Sequence, residues 1–225
     1  MKVKFSAWLY LAALILTISN FAVAQTPNEV QIGTQIWMTK NLDVSKFRNG
    51  DAIPEAKTEE DWNKADAAKQ PVWCYFNFDS STGNVYGRLY NWHAVNDKRG
   101  LAPAGWHVPS MDEWKTMVGS IGAFDQLTSN KLKSQKGWLY QNGTNEAMFN
   151  ALPAGCYCPD GSDGYLYFLG QGELAKWWTS TKSSGIPAAK MIYMETSEFN
   201  SVKSTQFDMS DYGVGLGLSV RCIHD

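Results

Sequence analysis

Histidine is scarce in this chain of 225 residues: only His93, His107 and His224 occur, at no chelating spacing. That leaves no imidazole-based metal centre to be read from the pattern. A clustered lysine–arginine stripe is also missing. The formal net charge is −2, and removing Lys2 and Lys4 with an N-terminal leader would take it from −2 to −4. This mild acidity argues against nucleic acid as a partner. No internal repeat or low-complexity linker divides the chain, and no Ser/His/Asp arrangement or phosphate-cradling glycine loop stands out.

Long apolar runs are equally few. The run Ala7–Ile18 is too short for a comfortable membrane span and is followed by no stop-transfer pattern. With Lys2 and Lys4 before it and Ala22-Val23-Ala24 after it, residues 1–24 read as a secretory leader cleaved before Gln25. No cysteine follows the apolar core, which argues against lipoprotein attachment. The expectation is an exported protein (periplasm, outer surface or medium) without a transmembrane segment in the mature chain. Residues 25–225 have the length of one domain.

What the chain does have is aromatic side chains and turn residues. Tryptophan numbers ten, and all but Trp8 fall after the leader. Such a content suits a core in which aromatics stabilise long irregular connections. The densest local signal is Gly105-Trp106-His107-Val108-Pro109-Ser110-Met111-Asp112-Glu113-Trp114. Trp106 and Val108 alternate as in a short strand, and Pro109 ends the ladder because it has no N–H. Ser110 and Glu113 form an S-x-x-E capping box, with Pro109 and Trp114 at the staple positions. Trp114, Met117, Val118 and Ile121 then mark one face of a helix from Met111 to about Ile121. His107 in that strand reads as a packed or hydrogen-bonded residue, and Glu113 as the capping carboxylate.

Elsewhere, Val30–Trp37 reads as a hairpin turning at Gly33-Thr34. Thr58–Asp61 starts a short helix toward Ala68. Strands are expected at Val72–Phe76, Leu166–Leu169, Trp177–Thr181, Lys190–Met194 and Leu216–Ile223, with a strand passing into a short helix or an irregular segment over Tyr86–Val95. After Ile121 the chain is read as dominated by loops. The fold class is therefore α+β with a loop-rich surface. Four cysteines in an oxidising compartment usually pair. Cys156–Cys158 is the preferred bridge, with Cys74 and Cys222 either bridged or left as two buried thiols.

Several runs, in order, resemble the Fibrobacter succinogenes major paralogous domain, a family of exported bacterial proteins. They include residues 32–38 (Ile-Gly-Thr-Gln-Ile-Trp-Met), Trp73-Cys74-Tyr75-Phe76, and residues 86–92 (Tyr-Gly-Arg-Leu-Tyr-Asn-Trp). They continue through residues 100–110, Ala151-Leu152-Pro153-Ala154-Gly155, Trp177-Trp178-Thr179-Ser180-Thr181 and Ser219-Val220-Arg221-Cys222. The strand–Pro–capped-helix run and the closing Val-Arg-Cys are also similar to the formylglycine-generating-enzyme branch of the C-type lectin-like fold. That similarity implies paired N- and C-terminal strands and long loops at one end. It implies no catalyst here: no cysteine lies between Thr179 and Val220, where that enzyme's copper thiolates sit, and the histidine-rich set of the related iron enzymes is missing. Structural envelope protein and diverged enzyme of this branch are the competing readings.

The expected function is therefore non-enzymatic recognition of a glycan or a cell-surface protein. The polar stretch Glu195–Asp211 is read as loops, and loops on a rigid scaffold carry binding residues. Trp178, Tyr193, Glu195, Asn200, Asp208 and Tyr212 are the candidate ligand contacts, with Glu198 and Gln206 nearby. Trp177 and Trp178 alternate, so one indole is expected in the core and the other on the opposite surface. No cofactor is expected. Asp160 and Asp163 offer hard oxygens as a weak Ca²⁺ candidate, although turns favour Asp and Gly anyway.

Overall fold

A computed structural model describes residues 28–159, 167–184, 188–199 and 202–225. The expected leader at residues 1–24, Asp160, Asp163 and Asn200 lie outside these residues. The chain opens with a hairpin of β1 (Glu29–Ile32) and β2 (Gln35–Met38), turning at Gly33 with φ +60°. Next come α1 (Glu59–Ala67) and β3 (Trp73–Cys74). The helical turn α2 (Gly83–Tyr86), β4 (Leu89–Tyr90) and α3 (Trp92–Val95) follow. Then β5 (Trp106–His107), α4 (Met111–Ile121) and α5 (Gln126–Leu132) complete the first half. The second half is strand: β6 (Ala154–Tyr157), β7 (Phe168–Gln171), β8 (Leu174–Lys182), β9 (Ala188–Phe199), β10 (Val202–Gly213) and β11 (Ile223–His224).

These strands form one sheet ordered β1-β2-β11-β5, a second ordered β10-β9-β8-β6-β7, and the β3–β4 pair. Strand β11 lies between β2 and β5, with Ile223 opposite both Trp37 and His107. The last strand thus pairs with the second strand of the N-terminal hairpin, and β1 lies outside it at the sheet's edge. Among the described residues no helix is long and apolar enough to cross a membrane.

Both expected helix starts are built as capping boxes. Ser110 Oγ accepts from the Glu113 amide, while Glu113 Oε2 accepts from the Ser110 amide at 2.7 Å. At α1, Thr58 Oγ1 accepts from the Asp61 amide, and Asp61 Oδ2 accepts from the amides of Thr58 and Lys57. Each box satisfies amides that a helix start leaves without intrahelical partners. Helix α5 lies in a stretch expected to be loop. Its sequence, QLTSNKL, is too polar to show a helical stripe, and it is started by Asp125 Oδ1 accepting from the Thr128 amide at 2.8 Å.

The expected strand Val72–Phe76 is cut to two residues. Beyond Cys74 the chain turns, with Asn77 at φ 55° and Phe78 at φ 56°. The expected strand Leu216–Ile223 is mostly a thread that touches a different element at each step. Gly217 bridges Tyr157, Leu218 bridges Tyr90, and Ser219 bridges Trp177. Only Ile223 and His224 at its end join the ladder.

The largest departure is in the stretch Glu195–Asp211, whose described residues form strands rather than loops. Twelve consecutive residue pairs join β9 and β10, from Val202↔Phe199 to Gly213↔Ala188. The reason is period-two patterning hidden by polar neighbours. Ile192, Met194 and Phe207 are buried on one side, where the Phe207 ring packs at a tilt against Phe124 with centroids 4.9 Å apart. The residues between them face the other way.

Trp177 and Trp178 do point to opposite faces of β8, yet both are 0% exposed. The reason is that separate core clusters cover the two faces, Trp178 joining the cluster of Tyr90, Trp92 and Val220 and Trp177 that of Trp114, Trp37 and Phe149.

None of the four cysteines forms a disulfide. Cys156 and Cys158 Sγ atoms stand 3.8 Å apart, so the expected bridge is not present. Cys156 is held in the ladder opposite Leu169, and the Cys158 amide donates to Tyr167 O. Residues i and i+2 of an extended strand have Cα atoms about 6.7 Å apart, at the far limit for a disulfide. Cys74 and Cys222 are two buried thiols in different clusters, and burial raises the pKa of both.

Candidate functional site

Of the side chains expected to contact a ligand, Tyr193, Glu195 and Asp208 share one face of the five-stranded sheet. Tyr193 sits between Lys176 and Asp208 across three strands, and Glu195 sits between Leu174 and Gln206. Gln206 Nε2 donates to Tyr193 Oη at 2.6 Å. Trp178 lies on the same face but under the core, its Nε1 donating to Tyr90 O at 2.8 Å. It has no surface to offer a ligand. Tyr212 occupies a ladder position opposite Ala189 in β10.

A concave site exists elsewhere. A cleft of about 610 Å³ is lined by Ser45, Glu55, Lys57, Trp73, Tyr75, Phe78, Ser80 and Arg88. Ligand sites are typically ~300–1,000 Å³ with aromatic walls and a few convergent polar groups. Its centre is a stack: the Arg88 guanidinium lies 4.1 Å from the Trp73 ring centroid and 5.1 Å from that of Tyr75. The Trp73 and Tyr75 rings meet edge-on at 5.1 Å.

The local sequence explains the stack. Strands β3 and β4 pair Trp73 with Tyr90 and Cys74 with Leu89, and one further step of that register sets Tyr75 opposite Arg88. Aromatic–cation neighbours across a strand pair attract one another. Trp73 Nε1 donates to Ile53 O at 2.9 Å, which fixes the indole as the floor. Arg88 Nη1 donates to both the backbone oxygen and the carboxylate of Asp43. Desolvation raises the Asp43 pKa, opposed by the Arg88 charge.

Two backbone features shape the rim. Gly83 packs so closely on Tyr75 that a β-carbon there would fall 2.2 Å from the ring. Phe78 holds a left-handed conformation that costs a bulky residue energy. It is held by packing against Phe168 at 4.9 Å and Tyr157 at 5.8 Å. Asp79 closes the turn, accepting from the Ser81 amide and hydroxyl. Tyr75 and Arg88 escaped notice as a site because each lies in a separate motif run. The signal that could have found them was the antiparallel register across the turn Asp79–Asn84.

His107 is joined to two carboxylates through its two ring nitrogens. Its Nε2 lies 2.7 Å from Glu113 and its Nδ1 2.9 Å from Asp225. Partial burial disfavours the charge, but the hydrogen bonds to Glu113 and Asp225 outweigh it and raise the pKa above its ordinary value. With both ring nitrogens engaged, the imidazole clamps the C-terminus to the start of α4. A raised folded pKa stabilises fully below the unfolded value of about 6.5 and is lost as pH rises through the folded value. His93, lowered first by desolvation, acts with the opposite sign. The difference between wild type and His107→Gln is therefore the quantity to measure. Thermal melts from pH 5.5 to 8.5 should show the wild-type advantage shrinking as pH rises; an advantage that stays constant would refute the charged clamp.

Fold and site together define a strand-rich α+β domain with many loops and an open aromatic–cationic cleft on one side. The chain belongs to the Fibrobacter succinogenes major domain family, whose model matches residues 30–224. None of the curated proteins and none of the solved structures matches it.

Proposed function

We propose that this chain is an exported, non-enzymatic recognition domain, with a leader at 1–24 and one domain at 25–225 on a C-type lectin-like scaffold. Its cleft binds a glycan. The observation that carries this reading is the Arg88–Trp73–Tyr75 stack on the wall of a 610 Å³ cleft. A pyranose lays its C–H face on an aromatic ring, and Glu55, Lys57, Ser45 and Ser80 supply polar groups for its hydroxyls. The pairing of β2 with β11 supports the scaffold assignment.

A glycan array with the purified protein, run in Ca²⁺ and again in EDTA, tests the reading. Selective binding that tolerates EDTA is expected, weakened at least tenfold (about 1.4 kcal/mol) by Tyr75→Ala. Binding lost in EDTA would instead favour the Asp160–Asp163 stretch. A blank array in both conditions would sink the glycan reading. The second reading, a structural envelope protein, draws support from β10, a strand of twelve residues at the sheet's edge. Such edges are templates for pairing with another chain.

A further inference from the structure

We infer that the cleft selects an acidic saccharide, whose carboxylate meets Arg88 and Lys57 while its ring lies against Tyr75. The inference rests on the glycan reading above and adds the charge of the ligand. Arg88 is under-used by the protein. Of its guanidinium nitrogens, Nη1 alone bonds Asp43, and Nε is buried without a hydrogen-bond partner among the described residues. A guanidinium carries five donors in a planar fork matched to carboxylates. Stacking on Trp73 and Tyr75 holds that fork in one orientation, so little side-chain entropy remains to be lost on binding.

Lys57 lines the same cleft and forms no ion pair among the described residues. Glu55 is the one carboxylate in the lining against these two cations. Asp43 sits outside the lining and offsets part of the Arg88 charge. The hydroxyls of Ser45 and Ser80, with the Tyr75 and Phe78 rings, complete a surface suited to a sugar that carries one negative charge per ring.

The test uses oligogalacturonate and its methyl ester, the same saccharide with the charge removed, titrated calorimetrically into the purified protein in EDTA. The acid should bind at least tenfold tighter than the ester, and the preference should weaken as NaCl rises, since exposed charges are screened. Lys57→Gln, an exposed substitution, should lower the preference without shifting the melting temperature. Arg88→Lys should lower it further, because an ammonium keeps the charge but lacks the fork. Equal binding of acid and ester, or array binding confined to neutral sugars, would overturn the acidic assignment and leave the glycan site standing. Silence toward both probes together with a blank array would overturn both.

Discussion

Replacing Arg221 with Leu is expected to lower stability by about 3–5 kcal/mol. The guanidinium is 0% exposed, and neutral groups hold it. Nη1 donates to Met38 O at 3.1 Å and Phe149 O at 2.7 Å, and Nη2 and Nε donate to Asn41 Oδ1 at 2.8 and 3.2 Å. The Phe149 ring faces it at 4.5 Å. Burial lowers its pKa to about 9, which still leaves it charged at neutral pH. Leu would leave the buried Phe149 O without this donor, at about 1–3 kcal/mol, and would take the same donor from the partly buried Met38 O. Asn41 Oδ1 would keep only the Trp177 Nε1 donor at 2.9 Å, while its Nδ2 still donates to Tyr86 O and Ser219 Oγ. Arg221 thereby ties the end of β2, the Asn41 loop and the Phe149 loop to the segment that leads into β11. Urea unfolding followed by tryptophan fluorescence measures the loss; a drop below about 1 kcal/mol would mean that the acceptors find other donors. Arg221→Lys should recover part of it, since an ammonium donates to fewer of these acceptors at once.

Replacing Trp114 with Ala should cost about 3–5 kcal/mol, the range for emptying a buried aromatic site. Trp114 is 0% exposed and sits among Trp37 at 4.8 Å, Phe149 at 5.6 Å and Trp177 at 5.7 Å. These rings come from β2, a loop and β8, so the cavity would open where α4 joins both large sheets. Its Nε1 is buried without a hydrogen-bond partner among the described residues. Trp114→Phe should therefore cost clearly less than Trp114→Ala, because it keeps a ring and removes a donor that folding leaves unsatisfied. Equal losses in the two variants, measured by the same urea titration, would contradict that account.

The sequence by itself determined the features whose causes lie within a few residues. Ser110 with Glu113 and Thr58 with Asp61 set the starts of α4 and α1, because side chains three positions apart satisfy free amides. Gly33 set the first hairpin, and alternation placed Trp177 and Trp178 on opposite faces of β8. Tertiary structure decided the rest. Alternation assigns faces but cannot say what covers them, and here both faces of β8 are covered. The polar stretch after Glu195 became strand because one row of apolar residues found α5 and the core. The cysteines stayed apart because ladder pairing holds Cys156 and Cys158 extended while Cys74 and Cys222 join different clusters. The cleft needed β3 and β4 in register before Arg88 could lie on Trp73 and Tyr75. Backbone hydrogen bonding within one turn is written locally, whereas register and burial depend on residues far along the chain that only packing brings together.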